Sequence, residues 1–132
     1  MPFEISQQPD HIRIRLTGRV SAIDLDDLAR EVHRLEDERG PVHKLTDLTG
    51  MDAVDVAYPE VSDFADRRRT RPMKAPVRSA IVASRPLQIG YARMFQTLND
   101  NAFVDIRLFT KVDEALQWLA ESVIVDTAKD GA

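Results

Sequence analysis

The residues that could do chemistry are few and poorly grouped. Three histidines (His11, His33 and His43), a set of acids (Asp47, Asp52, Asp55 and Glu60) and a basic run from Arg67 to Arg85 are the candidates. Nucleophilic or acid–base catalysis needs a convergent set. The histidines fall on an alternating stretch, a charged helix face and a second alternating stretch, with no spacing that forces them together. No HExxH, GxSxG or HRD-type tract is present. Gly18, Gly40, Gly50, Gly90 and Gly131 are too scattered to make a GxGxxG or P-loop cradle. The chain has no cysteine, which excludes disulfides, thiolate chemistry, cysteine-bound zinc and iron–sulfur clusters. No catalytic residue, metal ligand or cofactor is therefore expected, and the chain does not read as an enzyme.

The acids and the basic run allow binding rather than catalysis. The acid oxygens could hold a hard cation, but their spacing is not that of an EF-hand, and acids at a helix start are explained more simply by capping and the helix dipole. Net charge is −4, yet Arg67, Arg68, Arg69, Arg71, Lys74, Arg78 and Arg85 lie in a stretch with no acid, leaving −11 on the remainder. That balance argues against nucleic acid and marks one local positive patch. Ser84, Arg85 and the N–H groups after Pro86 form a strand-to-helix turn of the kind that holds anions, and Arg78 could add charge. The competing reading has these arginines capping a helix end and pairing with the surplus acids. Tyr58, Phe64, Tyr91, Phe95 and Trp118, with Met94, could line an apolar pocket, although helical spacing equally makes them core.

The elements that must position these residues follow from periodicity. Pro76-Val77-Arg78-Ser79-Ala80-Ile81-Val82-Ala83 is an interior strand, and Ser84 with Pro86 starts a helix to about Asn99 in which Tyr91 or Ala92, Phe95 and Leu98 share a face. His11 to Leu16 alternates strictly and ends at Gly18. Phe3 to Ser6 can pair with it through a turn at Gln8-Pro9-Asp10. Ser21 and Asp24 make a capping-box-like start for a helix with Leu25, Leu28, Ala29, Val32 and Leu35 inward, running to Gly40. Val42 to Leu48 is a strand of blurred alternation, ended by Thr49-Gly50. A helix follows from about Ala57 to Arg69, broken by Thr70-Arg71-Pro72. Phe103 to Phe109 alternates again, and Val112, Ala115, Leu116 and Leu119 mark a last amphipathic helix.

A hairpin followed by repeated helix and strand predicts an α/β fold with a mixed, mainly parallel sheet. A doubly wound sheet would show continuous apolar strands, whereas Arg13, Arg15, Lys44, Asp105 and Arg107 look like one exposed face. Helices predominantly on one face, leaving the other side wet, fit better. One domain is expected over residues 3–122, with a flexible tail at 123–132. The N-terminus has no signal-peptide pattern and no apolar run is long enough for a membrane span, so a soluble cytoplasmic protein is expected.

Ala83-Ser84-Arg85-Pro86-Leu87-Gln88-Ile89-Gly90-Tyr91-Ala92-Arg93-Met94-Phe95, and Asp113-Glu114-Ala115-Leu116-Gln117-Trp118-Leu119 after Arg107-Leu108-Phe109, resemble the small bacterial proteins called SpoIIAA-like or STAS-like. Asp47-Leu48-Thr49 is similar to the Asp-Leu-Ser that closes the matching strand in that superfamily. The resemblance covers roughly residues 10 to 120. It implies a β-α superhelix shared with the lipid-binding CRAL-TRIO group. In the anti-sigma-factor antagonists a serine is phosphorylated just beyond this strand; here that loop reads Met51-Asp52-Ala53-Val54-Asp55-Val56 without a hydroxyl, so a switch at Thr49, Asp52 and Asp55 would have only Thr49 as acceptor. The function expected is a non-catalytic interaction or regulatory module, a homodimer through an uncovered sheet face or edge. The alternative is a carrier or sensor of a small amphipathic or anionic ligand, either a lipid-like acid or a phosphate-bearing metabolite.

Overall fold

The structure, a computed structural model, describes residues 2–70, 75–99, 102–122 and 124. Arg71, Pro72 and Lys74 of the basic run, and the expected tail apart from Ile124, lie outside the described residues. In chain order the elements are β1 (Phe3–Gln7), β2 (His11–Ser21), α1 (Ala22–Arg39), β3 (His43–Asp55), α2 (Tyr58–Arg69), β4 (Val77–Val82), α3 (Pro86–Leu98), β5 (Val104–Phe109) and α4 (Val112–Ala120). The five strands form one mixed sheet in the order β1-β2-β3-β4-β5. β1 is antiparallel to β2, with Phe3 opposite Leu16 and Ile5 opposite Ile14. All the other pairs are parallel.

Local chemistry explains the element ends. Ser21 caps α1 through a full capping box: its hydroxyl accepts from the Asp24 N–H at 3.3 Å, and the Asp24 carboxylate accepts from the Ser21 N–H at 2.8 Å. Gly40 closes that helix at φ 83, a value that favours glycine. From the last turn of α1, Arg39 donates to the carbonyls of Gln8, Pro9 and His11, fastening the β1–β2 turn to the helix end.

Two strands run further than the sequence predicts. Gly18, at φ 66, does not end β2 but sits at a register shift, and Thr49-Gly50 does not end β3. Beyond the point where β4 stops, β2 and β3 continue as a two-stranded parallel ribbon pairing Thr17 with Gly50 and Ser21 with Asp55. A Cβ on Gly50 would lie 3.0 Å from the Thr17 methyl, so the ribbon's close approach there suits glycine. Arg19 clamps its far end with two 2.8 Å bonds to the Asp55 carboxylate.

Helices lie predominantly on one face, as expected, but not wholly. α1 and α3 pack with Ile12, Ile14, Leu16, Ile81 and Ile106 in one core, and α2 lies between them. α4 packs on the opposite face, where Trp118, Leu119 and Ala115 cover Leu45, Ala80 and Val82 in a second core. The expected wet face is thus half covered, because β4 is apolar on both sides. What α4 leaves uncovered over β1 and β2 is polar: Glu4, Ser6, Arg13 and Arg15.

Lys44 corrects the predicted exposed face. Its neighbours His43, Leu45 and Asp47 turn toward the α4 side, so strand parity sends Lys44 inward beneath the three-helix layer, where it is 4% exposed.

Candidate ligand-binding site

Between the sheet and the layer of α1, α2 and α3 lies a cavity of about 140 Å³. Its walls are mostly apolar: Ile14 and Leu16 from β2, Leu28 and Val32 from α1, Phe64 from α2 and Phe95 from α3. Each wall exists because an element turns its apolar stripe to the sheet.

One end of the cavity is polar. Parallel strands joined by helices put every strand start and every helix end at the same side of the sheet. That side collects Glu36 from the last turn of α1, Lys44 from the start of β3, Arg68 from the last turn of α2, Ser79 from β4 and Asn99, the C-cap of α3, all of which line the cavity. Lys44 and Ser79 are direct neighbours across the β3–β4 pair. The Lys44 ammonium donates to Glu36 Oε2 at 2.7 Å and to the Val42 carbonyl at 3.1 Å. Arg68 donates to Glu36 Oε1 at 2.7 Å and to Oε2 at 3.3 Å. Burial by itself would push the Glu36 carboxyl up, but the Arg68 hydrogen bonds and the charges of Lys44 and Arg68 hold it down to about 2, so it is an anion throughout the neutral range. Asn99 Oδ1 is buried without a hydrogen-bond partner.

Of the expected apolar pocket, Phe64, Tyr91 and Phe95 do line this cavity. The Phe64 and Phe95 rings meet at 5.6 Å, and Tyr91 donates its hydroxyl to the Val56 carbonyl at 3.3 Å. Tyr58 is 59% exposed at the start of α2 and takes no part. Trp118 lies on the other face of the sheet, against Phe109 at 5.6 Å and beneath the guanidinium groups of Arg78 and Arg107.

The expected anion site does not assemble. Arg78 and Ser84-Arg85 stand at opposite ends of β4. The N–H groups of Ser84 and Arg85 both donate to Gln88 Oε1, at 3.0 and 3.2 Å, so a side chain of the protein already fills the place an anion would take. Arg85 turns to the Met51 carbonyl and to Asp52, and Arg78 to the Trp118 carbonyl and Glu121. The basic residues of α2 are likewise engaged, Arg67 with Asp26 and Asp63, and Arg69 with Asp66.

The stretch expected as a switch loop is strand. Asp52 and Asp55 lie exposed on β3, and Thr49 donates its hydroxyl to Asp47 Oδ1 at 2.6 Å. A phosphate on Thr49 would meet that carboxylate and be repelled.

Glu36, Lys44 and Arg68 carry signals that pattern reading passed over. Glu36 stands four residues after Val32 and eight after Leu28 on the buried stripe of α1, and Arg68 stands four after Phe64 on α2. A charged residue at an inward position of an amphipathic helix is that signal.

A family model described as SpoIIAA-like matches residues 11–120. No curated protein matches. Among solved structures, a crystal structure at 2.25 Å resolution is similar: an uncharacterized protein of the DUF3478 family with a SpoIIAA-like fold, from Shewanella loihica PV-4. It superposes with a TM-score of 0.61 at 18% identity, over 89% of this chain and 91% of that one, which establishes the likeness of fold.

Proposed function

The chain belongs to the SpoIIAA-like family, and from that premise we propose that it is a non-catalytic cytoplasmic module that holds a small amphipathic ligand between its helix layer and its sheet and reports occupancy through surface contacts. SpoIIAA-like domains are generally non-catalytic. No described helix is long and apolar enough to cross a membrane.

The observation that carries the reading is the cavity itself, apolar along its walls and polar at one end. Protein interiors are packed as densely as organic crystals, and an apolar void of comparable volume, about 150 Å³, accepts benzene. Ordinary packing would have closed the space with one larger side chain.

Titration of isotope-labelled protein with toluene and with hexanoate, followed by amide NMR, tests the reading. Saturable shifts are expected at Leu28, Val32, Phe64 and Phe95. Filling the space with Ala92→Leu should abolish them while the fold persists. Shifts confined to surface residues, or surviving Ala92→Leu unchanged, would exclude the cavity as the site.

A further inference from the structure

We infer that the polar end of the cavity seats the carboxylate of a small monocarboxylic acid of about nine non-hydrogen atoms, held by Arg68 with Lys44 and measured by the cavity's volume. The inference rests on the ligand-holding reading above and narrows it to one chemical class.

Size comes first. A void of about 150 Å³ takes a six-carbon ring, and this one is about 140 Å³. A tail of about six carbons fills it, and a carboxyl group at its rim adds three atoms. The fatty acyl chain of a lipid-like acid is longer than a space of this volume holds.

Charge comes second. Arg68 has five donors in a rigid fork and directs two bonds to Glu36, leaving donors for a further acceptor. Glu36 sets one negative charge against the positive charges of Lys44 and Arg68, so an incoming carboxylate is repelled by Glu36 and is held because the two cations outweigh it by one charge. Hydrogen bonds to charged groups contribute about 1.5–3 kcal/mol each. The helix C-termini that converge here oppose an anion, but at about 0.3–1 kcal/mol apiece each is weaker than one hydrogen bond to a charged donor.

A third observation is independent of charge. Asn99 is 5% exposed, lines the same end, and its Oδ1 has no partner. A buried polar atom left unpaired costs about 1–3 kcal/mol. With its side-chain amide turned over, Asn99 presents its N–H group to a carboxylate at this end.

Calorimetry at pH 7.5 on the full chain, comparing benzoate with benzyl alcohol and hexanoate with hexanol, tests the inference. The acids should bind at least ten-fold more tightly than the matching alcohols, and palmitate should not bind. Arg68→Gln should erase the preference, and Arg68→Lys should restore part of it. The wild-type ratio decides alone if the glutamine variant does not fold. Equal affinity for acid and alcohol would overturn the carboxylate seat while leaving the cavity reading intact. Palmitate binding as tightly as hexanoate would overturn the size limit, and absence of binding by every compound would overturn both readings.

Discussion

Lys44 shows how much one residue's direction decides. Read in a blurred strand it looks like a solvated cation; placed by parity beneath the helices it joins a buried network with Glu36 and Arg68. Such networks are costly to break, because removing one member leaves an uncompensated charge away from water. Glu36→Gln leaves Lys44 and Arg68 facing a neutral amide, and urea unfolding should show a loss of about 3–5 kcal/mol. Acid should do the same to the wild type. The Glu36 carboxyl is held at about 2 against an ordinary 4.5, so its contribution is complete above 4.5 and is lost as pH falls from there toward 2. His43 gives a second limb at milder pH. Its Nδ1 accepts from the Arg78 N–H at 2.9 Å and its Nε2 faces the Ser122 carbonyl at 3.0 Å, an arrangement that needs the neutral ring with hydrogen on Nε2. Burial pushes its pKa below 6.5; the Lys44 and Arg78 charges add to that, while the Ser122 bond and Asp10 oppose it. The folded value is the lower one, so stability is full above 6.5 and falls as the solution is acidified through that range. Unfolding free energies at pH 8, 7, 6 and 5 should show this decline, and His43→Gln should flatten it while lowering stability at pH 8.

At the scale of elements, Gln88 joins parts that the sequence shows only separately. It is fully buried, accepts from the N–H groups of Ser84 and Arg85, and donates to the carbonyls of Thr49 and Met51. One side chain thus caps the turn into α3 and fastens the β3 extension after β4 has ended. Gln88→Leu keeps the bulk and strands these groups; at about 1–3 kcal/mol for each one left unsatisfied, the loss should be at least about 2 kcal/mol. Amide exchange should quicken first at Met51 and Asp52 rather than across α3. Uniform exchange throughout the sheet would show that the contact matters only for global stability. Most elements were legible: Ser21 and Asp24 announced α1, Pro76 and Pro86 bracketed β4, and the alternation from His11 to Leu16 marked β2. The β2–β3 ribbon was not, because Gly18 and Thr49-Gly50 are ordinary strand stops, and only pairing between strands distant in sequence keeps the chain extended past them. The anion site failed for a similar reason. A free helix start can be inferred locally, but Gln88 folding back to fill it cannot.

Across the whole molecule the sheet separates two cores with different duties. The three-helix side contains the cavity and the buried ions, while the α4 side is closed by Trp118, Leu119 and Phe109. The uncovered sheet face that suggested a homodimer is reduced to Glu4, Ser6, Arg13 and Arg15, and burying those charges would cost desolvation. Only three of five expected pocket aromatics meet: Tyr58 is exposed in the first turn of α2, and Trp118 points inward but on the other side of the sheet, which helical spacing does not tell. The two apolar cores are made by different residues, and distant sites add nearly independently. Trp118→Ala should therefore lower stability by about 3–5 kcal/mol, the usual cost of emptying a buried indole site, and leave the affinity for hexanoate within two-fold of wild type when measured at a temperature where the variant is folded. Ala92→Leu should show the converse, with affinity lost and the unfolding midpoint held or raised. If Trp118→Ala weakened hexanoate binding ten-fold or more, the sheet would have to transmit strain between its faces, and the cavity could not be treated as a self-contained site.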